Sequence, residues 1–429
     1  MFDLKWIRDN QDVFDRGLHH RGLISQSTLL LEMDESLRAL QTELQTINES
    51  RNAIARKMGE LKQKGEDITP LVQEGSRLKN LLPTLEEKER ALSQHLFEIL
   101  AALPNLPQED VPVGDGSANI ELKQIGKIPF FSFTPKQHFE LGEALGLMDF
   151  EQAAYISGSR FVILKGPLAR LERALASFML DIHTQEFGYQ EVSPPLLVKD
   201  DALFGTGNLP KFSEDLFKTT SDHWLIPTGE VPLTNLVAQK ILEADTLPLR
   251  FTAYTPCFRL EAGAAGRDTR GMLRQHQFGK VELVSITTPD QAASEHERML
   301  TAAQTVLERL EIPYRIMLLA SQDISPASQK TYDIEAWLPG QNCYREVSSC
   351  SLCGSYQARR MNARYRPEDS SHKKPVFVST LNGSGVAVGR ALIALLENHQ
   401  QEDGSIKIPS ALRPYLNNAE KISSHGTFL

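Results

Sequence analysis

The 429-residue chain has very little cysteine, with four residues at 257, 343, 350 and 353. So few thiols, gathered in the second half of so long a chain, exclude a disulfide-built scaffold. Cys350 and Cys353 form a C-x-x-C, but no second such pair exists and Cys257 falls in a β-like run. Reduced, unliganded thiols are therefore expected rather than a four-cysteine zinc site. No run of about eighteen apolar residues occurs, so no helix is expected to span a membrane. The opening MFDLKWIRDNQDVF mixes acids, bases and aromatics where a secretory signal would carry an apolar stretch, and the cytoplasm is the expected compartment. A basic excess is missing too: 46 Lys and Arg stand against 55 Asp and Glu, a formal net charge of −9. That excludes general adhesion to nucleic acid and leaves only a local basic surface, because screened charges act over about 8 Å. What remains, 41% hydrophobic and 24% charged residues, is the composition of a soluble globular protein with room for two or three domains.

Read in order, residues 1–25 carry Leu4, Ile7, Val13, Phe14 and Leu18 at mostly helical spacing and predict a small helical cap. From Leu30 to Leu61, apolar residues recur at alternating steps of three and four, with one place taken by Arg51. A second series from Leu71 to Leu103 keeps the period, with places taken by Gly75 and Glu89, and the turn-rich KGEDITP separates the two. The pattern predicts an antiparallel coiled-coil hairpin. Arms of about 35 residues at 1.5 Å each would project roughly 50 Å. Pro83 predicts a kink or local break in the second arm. The outer half of the first arm is basic, with Arg51, Arg56, Lys57, Lys62 and Lys64 against Glu60, whereas its base holds Glu32, Asp34, Glu35 and Glu43. Heptads alone favour a solvated dimerisation coil, while the uneven charge suits an arm that reaches RNA.

Residues 105–127 are rich in Pro, Gly and Asp and read as a linker. Beyond them the pattern is mixed: RFVILK (160–165) reads as a strand, residues 168–187 as an amphipathic helix, and 332–351 as a strand pair around PGQN. Residues 253–284, AYTPCFRLEAGAAGRDTRGMLRQHQFGKVELV, read as an antiparallel hairpin with a long loop. Alternation places Arg259 with Glu261 on one face, and Phe278, Lys280 and Glu282 on one face of the return strand. Guanidinium groups that fork onto phosphate or carboxylate, a ring that stacks on a base, and carboxylates that accept from amines suit a nucleotide polyphosphate beside a small zwitterion.

FRLEAGAAGRDTRGMLRQHQFGKVE resembles motif 2 of class II aminoacyl-tRNA synthetases in the form of the seryl-tRNA synthetases. IPTGEVPLTN (226–235) and LNGSGVAVGRALIALLENHQQEDGSIKIPSALRPYL (381–416), the latter similar to motif 3, follow the same pattern, and the helix and strand before Pro195 resemble motif 1, the family's dimer element. The resemblance runs from the first residues to about Leu416. It implies an α+β fold, a class II antiparallel sheet flanked by helices with an N-terminal coiled-coil hairpin. The implied divisions are 1–104 as cap and tRNA-binding arm, 105–127 as linker, 128–416 as catalytic domain and 417–429 as a polar, disordered tail.

By matching position, Arg259 would bridge the α-phosphate of ATP and the substrate carboxylate as the catalytic group. Thr228, Gly229, Glu230, Glu282 and Ser384 would bind serine. Leu260, Glu261, Arg274, Phe278, Glu346, Val347, Ser348, Ser349 and Arg390 would join Arg259 around ATP. Within that set Glu261 would take the adenine amine, Arg274 the γ-phosphate, Phe278 and Arg390 the two faces of the base, and Glu346 with Ser349 a Mg²⁺ ion. The implied activity is that of a serine–tRNA ligase, a homodimer with no membrane contact. It would make seryl-adenylate from L-serine and ATP, charge tRNA(Ser), and also charge tRNA(Sec). Two other readings are a class II-like ligase loading a carrier protein, which would not need the basic arm, and a non-catalytic RNA-binding paralogue, which predicts losses among Arg259, Glu261, Glu282, Glu346 and Arg390 that the chain does not show. One departure is clear: SQDISP at 321–326 stands where the family commonly has T-G-D-M-G-F, so two glycines are lost and a proline gained.

Overall fold

The computed structural model describes residues 1–264, 266, 268–368 and 374–429. It divides into two compact units, residues 1–103 and 104–429.

The first unit is helical. Helices Leu4–Asp9 and Gln11–His20 bury Ile7, Phe14 and Leu18, whereas Val13 falls on the outward side and is exposed. Helices Ser27–Lys64 and Thr69–Ala102 form the hairpin. Ile47 packs with Leu78, Leu82 and Leu85 along its seam. Gly75 lies against Ile54, and the place taken by Glu89 is occupied by a hydrogen bond from Gln41 Nε2 at 2.9 Å. Gly65 closes the first arm in the left-handed region (φ 73°), with its amide and that of Glu66 returning to the carbonyls of Lys62 and Leu61. Pro70 stands in the first turn of the second arm, where a missing N–H costs nothing. At the base, Asp15 accepts from the amides of Gln26 and Ser27 and from the Ser27 hydroxyl, and so caps the long helix from outside. Burial alone would raise that carboxyl's pKa, but these bonds outweigh it and hold it below the ordinary value. The helix runs unbroken through Pro83, contrary to the predicted break. Leu82 and Leu85 on either side are buried against the other arm, and that packing offsets the roughly 3 kcal/mol a helical proline costs. Arg56, Lys57, Lys62 and Lys64 are exposed, and Arg51 is half-buried.

The second unit is built on one eight-stranded sheet: β1 Ile120–Ile125, β2 Gln190–Glu191, β3 Leu249–Phe258, β4 Gln277–Thr287, β5 Tyr314–Leu318, β6 Lys330–Leu338, β7 Cys343–Gly354 and β8 Ser379–Ala387. The spatial order is β1-β5-β6-β7-β8-β4-β3-β2, antiparallel throughout except for the β2–β3 edge pair. Helices Gly166–Gln185, Ala292–Arg309 and Val388–His399 bury their apolar stripes against one face, together with Val281, Leu283, Cys350, Leu352 and Leu381. Period-two alternation then sends Phe278, Lys280 and Glu282 to the opposite face. Further along β4 that same face carries Val284 and Ile286, packed with Leu233, Phe251 and Ala253 in a second apolar cluster. The polar end of this face is the floor of the site.

Three local expectations are corrected. Residues 105–127 are not a free linker: 120–125 form β1, the sheet's edge strand, and Asn105 donates to the carbonyls of Ala327 and Cys353 at 2.8 Å. The Pro- and Gly-rich lead-in hid a strand whose side chains, half polar and half apolar, are largely exposed. RFVILK yields strand only at Ile163–Leu164, because Arg160 enters the left-handed region (φ 63°). Residues 417–429 are folded: Lys421–Ile422 pairs with Ile406–Lys407, and Ile422 is fully buried. Ser423 and Thr427 close the turn between them at 2.7 Å from amide to carbonyl, so a polar composition conceals a small hairpin. Among the described residues no helix is long and apolar enough to cross a membrane.

Candidate active site

β3 and β4 pair from Leu249↔Ile286 to Phe258↔Gln277, the hairpin the sequence predicts. The strand stops at Phe258, so Glu261 does not share a strand face with Arg259. It turns through φ 53° and meets Arg274 at 3.2 Å, and Arg274 also reaches Asp268 at 3.2 Å. Arg259 is anchored by Nε on the Pro227 carbonyl at 3.2 Å and stands 5.3 Å over the Phe278 ring. Arg390, from the first turn of helix Val388–His399, donates to the Glu346 carbonyl at 2.9 Å and lies 3.3 Å from its carboxylate. Both guanidinium groups line one cleft, with Glu261, Arg274, Phe278, Lys280, Glu282, Glu346, Ser349 and Ser384. The cleft has a cavity volume of about 330 Å³, within the roughly 300–1,000 Å³ of a small-ligand site.

Charge separates the cleft into two ends. At one, Arg390 foremost and also Arg259 hold the Glu346 carboxyl below its ordinary pKa against the effect of burial. At the other, Glu230 accepts from Gln357 Nε2 at 2.6 Å and Asn382 Nδ2 at 3.0 Å. Burial, then the neighbouring Glu282 charge, pushes its pKa up to about 7 despite Gln357, Lys280 and Arg259. Thr228 donates to Glu282 at 2.5 Å and accepts from Lys280 at 2.8 Å, and Lys280 lies 2.7 Å from Glu282. Three arginines and a ring suit a polyphosphate with a flat base, and two close carboxylates suit a cationic amine.

Residues 1–107 match the family described as the seryl-tRNA synthetase N-terminal domain, and residues 215–399 match the tRNA synthetase class II core domain (G, H, P, S and T). The serine–tRNA ligase of Rhodospirillum centenum is 60% identical over 427 residues, covering 99% of this chain and 100% of its own. That of Parvibaculum lavamentivorans is 57% identical over 437 residues, with 99% and 100% covered. The chain belongs to the seryl-tRNA synthetase family. The crystal structure of the seryl-tRNA synthetase from Pyrococcus horikoshii complexed with ATP superposes with a TM-score of 0.90 at 36% identity, covering 99% of each chain.

Most residues assigned by resemblance to the seryl-tRNA synthetases come together in the cleft, and three do not line it. Leu260 is exposed and its amide is bonded to the Asp215 carbonyl, so it faces away. Ser348 is buried on the far side of β7 with its hydroxyl on the Ser384 carbonyl at 2.6 Å, one layer behind the cleft. Gly229 lies under the cleft wall, where an added Cβ would come within 3.1 Å of Glu282 Cβ. Motif reading missed Lys280 as a binding-site group although it shares the Phe278–Glu282 face, and missed Gln357 and Asn382, which hold Glu230. Alternation alone places Lys280 on that face, but nothing local marks Gln357. Asp333, paired in register with Ser349, was missed too. Among the described residues its buried Oδ1 has no hydrogen-bond partner, and burial together with the Glu346 charge drives its pKa well up. An orphaned carboxylate oxygen beside Glu346 and Ser349 is an all-oxygen donor set that fits a hard cation.

The 321–326 departure is accommodated by the segment read as linker. The Gln322 amide donates to the Gly114 carbonyl at 2.9 Å, Asn119 Nδ2 donates to Asp323 at 2.7 Å, and the Pro326 carbonyl accepts from the Asn105 amide at 2.7 Å. Ser325 and Ala327 still border the cleft. The cysteines are free thiols. Cys350 and Cys353 project from opposite faces of β7 into different apolar clusters and cannot share a metal.

Proposed function

We propose that this chain activates L-serine with ATP, releasing pyrophosphate, and transfers the seryl group to tRNA(Ser), with tRNA(Sec) as a second acceptor. The observation that carries this reading is the convergence of Arg259 and Arg390, distant in sequence, on one cleft whose other end is the Glu230–Glu282 carboxylate pair. Arg259 would neutralise the charge that builds as the serine carboxylate attacks the α-phosphorus. Phe278 and Arg390 would hold the adenine, with Glu261 on its amine. Arg274 would leave Glu261 and Asp268 to meet the γ-phosphate. Glu230 and Thr228 would take the serine ammonium, and Glu282 with Ser384 its hydroxyl. Magnesium held by Glu346 and Ser349, with Asp333 behind them, would supply charge neutralisation on the phosphates. Binding of ATP is supported by the ATP complex of the Pyrococcus horikoshii relative. Residues 1–104 would be the tRNA arm and 128–416 the catalytic part, in a cytoplasmic homodimer. Exposed Phe130, Tyr155 and Ile156 support pairing with a second copy.

Serine-dependent ATP–pyrophosphate exchange followed by charging of tRNA(Ser) tests the reading. Exchange without tRNA charging would favour a carrier-protein ligase, and neither activity would leave an RNA-binding paralogue.

A pH signature follows from Glu230. Its folded pKa of about 7 lies above the ordinary 4.5, so the folded protein holds this proton more tightly than the unfolded chain. This group's contribution to stability is therefore greatest below pH 4.5 and is lost as pH rises through about 7. Serine's ammonium favours the ionised carboxylate, so serine binding at pH 6 should release close to one proton, falling towards none at pH 8. Affinity should climb by up to tenfold per pH unit below 7 and then level off. Calorimetry in buffers of different ionisation enthalpy reads the proton count, and Glu230→Gln should abolish it. No release at pH 6 from the unaltered protein would refute the assignment.

A further inference from the structure

His138 and Glu397 are fully buried and do not line the cleft. Glu397 Oε1 accepts from His138 Nδ1 at 2.9 Å and from its backbone amide at 3.1 Å, and Oε2 accepts from the Gly340 amide at 3.0 Å. The Met272 amide donates to His138 Nε2 at 3.0 Å. Nε2 therefore carries no proton, and Nδ1 is the ring's donor to Glu397. Every polar side-chain atom of the pair is bonded, and together the bonds join the segments of His138, Glu397, Gly340 and Met272.

Those segments are the ones that supply the nucleotide end of the cleft. Glu397 sits two helical turns after Arg390 on helix Val388–His399. Gly340 belongs to the turn leading into β7, which carries Glu346 and Ser349. Met272 precedes Leu273, Arg274 and Gln275, all bordering the cleft, in the loop between β3 and β4. Gly271 passes so close that an added Cβ would sit 2.3 Å from His138 Nε2, and its φ of 80° is one that glycine adopts freely. A buried ionisable pair adds little net stability over an apolar one, so its use here calls for a positional role.

We propose that His138 is a positioning residue for nucleotide binding: with Glu397 as its anchor it tethers the Met272 amide, and so fixes the arginine-bearing loop against the helix of Arg390. The proposal rests on the ATP-dependent reading above. His138→Asn keeps a donor near the Nδ1 position for Glu397 but has nothing to accept from Met272. His138→Gln can place an acceptor near the Nε2 position. The asparagine variant should raise the KM for ATP in pyrophosphate exchange about tenfold with the KM for serine within twofold, and the glutamine variant should recover most of that loss.

Gly271→Ala breaks the same tether from the loop side with the His138–Glu397 pair intact, and it should show the same split even if His138→Asn does not fold. An unchanged ATP KM in folded His138→Asn or in Gly271→Ala, or ATP and serine KM values rising together, would overturn the proposal. Calorimetric titration of ATP runs in parallel. If the unaltered protein shows no serine-dependent exchange, the functional reading fails, and the ATP affinities of the variants still decide whether the tether exists.

Discussion

Replacing Arg259 with alanine is expected to lower kcat/KM for serine-dependent pyrophosphate exchange by about 10²- to 10³-fold, the loss typical of removing one preorganised donor to developing charge. The side chain is held before any substrate arrives: Nε donates to the Pro227 carbonyl and the guanidinium carbon stands 5.3 Å over the Phe278 ring. Such holding matters because a group that must reorganise during reaction gives up part of its stabilisation. Lysine should rescue little, since a single ammonium lacks the planar fork that would span a carboxylate and a phosphate oxygen together. Near-normal exchange in either variant would show that Arg259 lines the cleft without taking part. Arg390→Ala is a useful contrast, because its loss should fall mainly on the KM for ATP.

What the sequence disclosed depended on whether the informative contacts were local. The hairpin could be read from steps of three and four because each arm's seam repeats over many turns, and the turn was marked by Gly65 and Pro70. The face of Phe278, Lys280 and Glu282 could be read because a strand alternates strictly. Glu261 could not, since the strand ends at Phe258 and Glu261 itself turns into the left-handed region where no glycine announces it. The Glu230–Gln357–Thr380 chain of hydrogen bonds spans three separated elements, and neither periodicity nor spacing carries information about it. The same holds for β1, which pairs with a strand far along the chain, whereas the closing hairpin at 417–429 is held by local bonds such as Ser423 to Thr427 that its polar composition does not announce. Resemblance named most of the side chains that line the cleft and passed over those behind them, such as Asp333 and His138. Such residues do not line the cleft, and only geometry brings them forward.

Reversing four charges on the hairpin, Arg56→Glu, Lys57→Glu, Lys62→Glu and Lys64→Glu together, should raise the KM for tRNA(Ser) about 100-fold or more while serine-dependent pyrophosphate exchange stays within twofold. All four side chains are exposed on the first arm, and none belongs to the apolar seam of Ile47, Leu78, Leu82 and Leu85. Such surface changes typically move stability by no more than about 0.5 kcal/mol. Arg51 is left out because it is half-buried in the hairpin. The chain's net charge of −9 makes the prediction sharper, since no general basicity can stand in for the lost patch. If the patch meets phosphates, each lost contact removes roughly 0.7–0.9 from the slope of log affinity against log salt, about three in all for four contacts. The discriminating measurement is therefore the KM for tRNA at several salt concentrations. A uniform weakening with an unchanged slope would place the contacts elsewhere on the arm, and an unchanged KM would return the hairpin to the role its heptads alone suggest, a surface for pairing helices.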